Sequence, residues 1–187
     1  MEKEKIKFGL DSIFHMIRHF DKGNHHDFAK LKSAGYSDLQ IEEENKRHGS
    51  KFLFSYATSI VDLLDKIRSE KFEVYKGEND NIQLLFTTNN TIGTQSVVDF
   101  NFLSEEQKSS LYLIENRGYN LNHLIVTELP YTTKWTMILK PKKNNTYRFI
   151  TAFPGEFALP IPIPSMNKNL KQKCINFWKN HLFLVKR

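Results

Sequence analysis

The sequence predicts an α+β fold: N-terminal helices, then a twisted, largely antiparallel β-sheet, then a short C-terminal helix. Three observations predict it. Apolar residues recur at three- and four-residue spacing over much of the first seventy positions. From Lys71 onward they alternate with polar residues, the period of a half-buried strand. A hydrophobic fraction of 40%, with fifteen Phe, seven Tyr and two Trp, supplies an aromatic core. The expected organisation is a helical region over 1–70 and an antiparallel-sheet domain over 71–187, joined in one compact unit.

Each element has a local reason. Ile6, Leu10, Ile13, Phe14 and Ile17 make one apolar face, which predicts a helix over 5–20, ended by Asp21-Lys22-Gly23-Asn24. Ser37-Asp38-Leu39-Gln40 fits a capping box that opens a short helix. Gly49-Ser50 is a break. Leu53, Tyr56, Ala57, Ile60, Leu64 and Ile67 predict a second amphipathic helix. Phe72 and Val74, then Ile82, Leu84 and Phe86, read as a hairpin around Gly77–Asn81. Residues 87–96 read as a loop, and Val98, Phe100 and Phe102 as a strand. Ser104–Gln107 is a second capping box, with Leu111 and Ile114 as its helical face and Arg117-Gly118 as its stop. Strands follow near 121–128, 133–140 and 146–153, the last two joined by Pro141–Asn145. Residues 154–164 hold proline at four positions, so they predict an extended surface strip. Residues 166–180 predict the final helix.

Composition narrows the function classes. A net charge of +6 favours a polyanionic partner, although a Lys-rich surface of no special affinity gives the same balance. The single cysteine, Cys174, excludes an internal disulfide framework and points to a reducing compartment. The N-terminus lacks an apolar run of signal length, and no segment approaches the roughly 20 apolar residues of a membrane span. Neither G-x-S-x-G, G-x-x-x-x-G-K nor G-x-G-x-x-G occurs, and glycine is scarce at eight residues.

The chemistry-bearing stretch is Leu121–Pro154, where His, Lys, Arg and Thr punctuate three strand-like runs. Histidine is the side-chain type suited to proton transfer at neutral pH, so His123 is the candidate; a His satisfied within the sheet is the plainer alternative. Lys134, Thr136 and Lys140 share one strand face, opposite Trp135, Met137 and Leu139. Arg148 alternates with Tyr147, Phe149 and Thr151; its planar fork suits a phosphate. Thr151, at a strand end, can position a phosphate oxygen. Tyr147 can stack on a base, and Lys140, Lys142 and Lys143 can track a phosphate backbone. Each of these is equally compatible with an ordinary solvated sheet face. Such a set is sufficient for RNA cleavage, because RNA carries its own nucleophile in the 2′-OH. His15 and His19 stand at i, i+4, and His25-His26 follow, but Met16 occupies the position where a zincin helix needs Glu. No metal site and no cofactor are expected.

The elements His123, Thr132-Thr133-Lys134-Trp135, Tyr147-Arg148 and Thr151-Ala152-Phe153-Pro154 resemble the barnase–EndoU–colicin–RelE superfamily of metal-independent toxin RNases. The resemblance covers about the last third of the chain. It implies cleavage through the 2′-OH, leaving a cyclic phosphate and a 5′-OH. It assigns His123 as general acid or base, Lys134 and Arg148 as phosphorane stabilisers, and Thr151 as a phosphate-positioning group. It further implies a cognate inhibitor (antitoxin or immunity) protein and a cytoplasmic site of action, reached in some systems by delivery from another cell. The alternative readings are a non-catalytic basic RNA- or protein-binding module, and an inhibitor or phage-encoded interaction protein.

Overall fold

The computed structural model describes residues 1–21, 23–47, 49–77, 80–116 and 118–187. The class is α+β, with N-terminal helices, mostly antiparallel sheets and a short C-terminal helix. The chain divides into two compact units: Met1–Gln95 with Tyr131–Glu156, and Ser96–Pro130 with Phe157–Arg187. The units do not follow the change of hydrophobic period at Lys71. The late strands of the first unit return to pair with its early ones, and that pairing sets the boundaries.

The first unit holds β1 (Ile6–Lys7), α1 (Leu10–Met16), α2 (His25–Ser33), α3 (Asp38–Asn45), β2 (Lys51–Phe52), α4 (Ile60–Ser69), β3 (Phe72–Lys76), β4 (Ile82–Thr87) and β5 (Gly93–Thr94). After the excursion into the second unit it regains β9 (Tyr131–Thr132), β10 (Lys134–Pro141) and β11 (Tyr147–Pro154). Five strands form a sheet in the order β1-β11-β10-β4-β3. Strands β2, β5 and β9 make a small second sheet. All neighbours in the main sheet are antiparallel except β1 and β11, which run parallel.

The predicted helix over 5–20 is shorter than its periodicity suggests. Ile6 and Lys7 are claimed by β11 as an edge strand, and the helix starts only at Leu10. It then tightens into a 3-10 turn over Ile17–His19. Of the expected stop signal, Lys22 lies outside the described residues. Both Ser37 and Ser59 cap their helices with complete capping boxes, which satisfy the first orphan N–H groups. The Ser59–Asp62 box explains why α4 begins at Ile60 and not at Leu53. In the β3–β4 hairpin, Glu78 and Asn79 lie outside the described residues. The expected loop over 87–96 includes the two-residue strand β5.

The core is aromatic and centred on Trp135. Its ring is fully buried and stacked on Phe86, with centroids 3.8 Å apart and planes 8° apart. Phe52 and Tyr56 meet it edge-on. The indole Nε1–H donates to Glu70 Oε2 at 3.1 Å, so its one polar group is satisfied. Met137, Leu139, Phe149 and Ala152 continue the same buried face.

The second unit holds β6 (Val97–Asp99), α5 (Glu105–Ser109), β7 (Tyr112–Asn116), β8 (Tyr119–Val126), α6 (Lys168–Lys179) and β12 (His181–Lys186). Its sheet order is β6-β12-β8-β7. Ser104 and Gln107 form the expected capping box, but α5 is only five residues long. Tyr112, Leu113 and Ile114 are a strand, not a helical face, because they pair with β8 across a tight turn at Gly118 (φ +80°). Arg117 lies outside the described residues. Phe100–Phe102 form a 3-10 turn where a strand was expected. The strand β12 was not foreseen; it runs parallel to β8, and its Leu182 and Leu184 pack with Val98 and Leu124 in this unit's apolar cluster. Of the extended surface strip expected over 154–164, residues 157–164 carry no strand, but Pro154 ends β11 and is buried, as is Pro162.

Trp135→Ala should cost about 3–5 kcal/mol in a urea-unfolding measurement, the range for removing a fully buried large aromatic. Leu113→Ala, at an exposed position, should change the same curve by no more than about 0.5 kcal/mol.

Candidate functional site

Strand β11 has two different edges. Strand β10 pairs along its length, whereas β1 pairs only with Tyr147 and Arg148. Beyond that point, α1 and the following 3-10 turn lie against the open edge. Their side chains take the place of a ladder. Ser12 Oγ donates to the Phe149 carbonyl at 3.3 Å, and the Ala152 N–H donates to Met16 Sδ at 3.3 Å. This satisfies backbone groups that would otherwise be orphaned in the interior.

A bulge shapes the same strand. Ile138 faces Thr151, but Leu139 faces Phe149, so Ile150 has no partner. Strict alternation put Thr151 on the face of Tyr147 and Phe149, opposite Arg148. The extra residue reverses that. Phe149 and Ala152 share the core face, while Arg148 and Thr151 share the other, with Ile138 and Lys140 beside them.

Thr151 Oγ1 lies 3.1 Å from His15 Nε2. Helix α1 supplies the histidine and β11 the hydroxyl. The His19 ring stands 5.5 Å from the His15 ring, and Phe153 lies 6.2 Å from His19. His19 Nδ1–H donates to the Ser50 carbonyl at 3.0 Å. Burial holds the His15 pKa below its ordinary value, and the positive charge of Arg18 pushes the same way. Burial lowers His19 further, to about 3. Both rings are therefore neutral at pH 7.

Charged groups act on both rings: Arg18, Glu44 and Arg47 on His15, and Arg18 and Lys51 on His19. Arg18 and Arg47 both hold Glu44, which is buried at 3% exposure; Arg47 Nε donates to Glu44 Oε2 at 3.0 Å. Two guanidinium groups against one carboxylate leave an excess of one positive charge. Lys51 Nζ donates to the Asn45 carbonyl at 2.7 Å, and burial lowers its pKa. The whole group belongs to the first unit.

The sequence-predicted residues fall into different settings. His123 stands on β8 in the second unit. Its Nδ1–H donates to the Leu121 carbonyl at 3.0 Å, and its ring lies in a cross-strand row between Tyr112 and Phe183. Lys134, Arg148 and Thr151 are in the first unit. Lys134 pairs with Glu156, and Arg148 pairs with Asp11. Tyr147 packs against the core and lines an open cleft of about 580 Å3 with Lys5 and Phe72. Lys140, Lys142 and Lys143 are exposed on the β10–β11 hairpin. Of the N-terminal histidines, His25 and His26 begin α2, and among the described residues no three His, Cys, Asp or Glu side chains gather as a metal-ligand set.

Sequence reasoning missed Arg18, Glu44, Arg47 and Lys51. It set aside the N-terminal histidines, His15 among them, as metal ligands, and held that they could instead face a nucleic acid or take over proton transfer from His123. The signal was the i, i+4 spacing of His15 and His19 on an amphipathic segment. What it lacked was the knowledge that this helix docks on β11.

Comparison with known proteins finds no match to a family model, to a curated protein or to a solved structure. Among the described residues no helix is long and apolar enough to cross a membrane.

The neutral, half-buried His19 makes a signed prediction. The unfolded ring takes a proton near 6.5, the folded ring only near 3. Between those values the unfolded state binds more protons, so stability falls as pH drops from about 6.5 towards 3. Replacing His19 by Asn, which keeps an amide donor for Ser50, should flatten that part of the stability–pH curve in urea unfolding. An unchanged slope would show that the ring is protonated in the fold.

Proposed function

We propose that this chain is a metal-independent endoribonuclease that cleaves RNA through the 2′-OH, with His15 and Thr151 at its centre. One observation carries this reading: a neutral histidine within hydrogen-bond reach of a threonine hydroxyl, in a partly buried setting with excess positive charge. A neutral imidazole is a proton acceptor at pH 7, and guanidinium groups complement the charge that develops on a phosphorane.

The proposed step balances as follows. His15 Nε2 takes the proton of the 2′-OH, and the 2′-oxygen bonds to phosphorus. The P–O5′ bond breaks, leaving a 2′,3′-cyclic phosphate. The departing 5′-oxygen takes a proton from Lys51, whose lowered pKa makes it a better acid than an exposed lysine. Thr151 turns its hydroxyl from His15 to a non-bridging oxygen. Arg47, more than half exposed, faces the added charge with Arg18.

This reading moves the proton acceptor from His123 to His15. It keeps the toxin-type activity, and with it an acidic inhibitor protein as the partner suited to a chain of net charge +6. The runner-up is a non-catalytic basic RNA- or protein-binding module, favoured by His123 standing between the Tyr112 and Phe183 rings, in a different unit from Lys134 and Arg148.

His15→Ala should lower RNA cleavage by about 100-fold or more, the usual scale of a general base, with EDTA present throughout. His123→Ala should stay within a few-fold of wild type once thermal melting shows it folded. The acid limb of kcat/KM should lie below pH 6.5, because the base must be unprotonated and its pKa is lowered. A folded His15→Ala protein that cuts at the wild-type rate would remove His15 from the mechanism.

A further inference from the structure

The register of the main sheet places three cations side by side. Lys7 on β1 faces Arg148 on β11, and Arg148 faces Lys140 on β10. Directly paired residues point to the same side, so the three form one row across three strands, each step about 4.8 Å. All three are exposed. Like charges directly opposite one another destabilise a sheet, and among the described residues the one ion pair to this row is that of Asp11 with Arg148. A row of this kind costs stability unless a negative ligand neutralises it.

The row also has a defined place relative to His15. Thr151 faces Ile138, two residues along β10 from Lys140 and on the same face. Two residues of strand span about 7 Å. That is comparable to the spacing of successive phosphates along an extended single strand. The bulge at Ile150 creates this arrangement, since without it Thr151 would lie on the opposite face from the row.

We infer that Lys7, Arg148 and Lys140 form a subsite for the RNA phosphate next to the one at Thr151, so that the enzyme engages a single strand across at least two consecutive phosphates. The inference rests on the ribonuclease reading of the His15–Thr151 pair. It adds a substrate requirement that the pair alone does not impose: recognition by backbone charge, without base selection by the row. Lys142 and Lys143, on the hairpin that follows Lys140, extend the positive charge in the same direction.

The test uses a single-stranded 2′-deoxy oligonucleotide, which lacks the nucleophile and is not cut. Its affinity for the full chain is measured by fluorescence anisotropy over a range of salt concentrations. The double variant Lys7→Gln/Lys140→Gln should flatten the dependence of log Kd on log salt by about 1.4, two single-strand phosphate contacts at about 0.7 each. The variant Lys168→Gln/Lys179→Gln removes the same charge from exposed positions on α6 and should leave the slope unchanged. Equal flattening by both variants would mean diffuse attraction to the net charge, and no flattening by the first would mean no contact; either result overturns the subsite. Because the probe cannot be cleaved, failure of the subsite shows in this slope. Failure of the ribonuclease reading shows separately, as intact RNA after incubation with the wild-type protein.

Discussion

The structure depends on how the open edge of β11 is closed. A strand edge buried against other elements must satisfy its backbone N–H and C=O groups or lose stability for each one left unpaired. Here β1 pairs for two residues and then yields to a helix. Ser12 and Met16 complete the edge with side chains, and the next turn of the chain continues towards β2. His15 sits between those two anchors in sequence. It is brought to Thr151 because its neighbours are needed there for structural reasons. Helix α1 and the 3-10 turn after it are thus part of the sheet's edge and not an accessory to it.

The same constraint sets the electrostatics. Docking α1 on the sheet removes water from His15 and His19, and both rings are held neutral. Glu44 is buried beside them and is stabilised by two guanidinium groups from different elements, one following α1 and one following α3. A buried carboxylate with two charge-assisted partners fixes the position of both cations. The arrangement is preorganised, in that charges stand in place before any ligand arrives.

The class of the fold was legible because periodicity reports it directly: the change at Lys71, the alternation in β4 and β10, and the capping boxes at Ser37 and Ser104 all appear in the structure. What was not legible is pairing. Ile6 fits a helical face as well as a strand, and only β11 decides between them. Tyr112–Ile114 follow a genuine helix start, yet β8 recruits them as an edge strand. The bulge at Ile150 has no signature in residue type, and it alone decides which face Thr151 occupies. Lys134, Arg148 and Thr151 stand out in the sequence by chemistry, but their partners Glu156, Asp11 and His15 are long-range and invisible to local pattern. His123 illustrates the converse: a titratable side chain on a promising strand, whose neighbours proved to be aromatic rings.

On the proposed mechanism, a neutral histidine at the edge of β11 lets RNA attack itself without a metal ion. Identification of the product ends tests it most directly. A defined RNA is incubated with the purified chain in EDTA, and the fragments are analysed by mass spectrometry, alongside the same RNA with a single 2′-deoxy substitution at the cleaved position. The expected fragments carry a 2′,3′-cyclic phosphate and a 5′-OH, and the substituted site stays intact. Fragments bearing a 5′-phosphate, cleavage that persists at the deoxy position, or RNA that stays whole would contradict it.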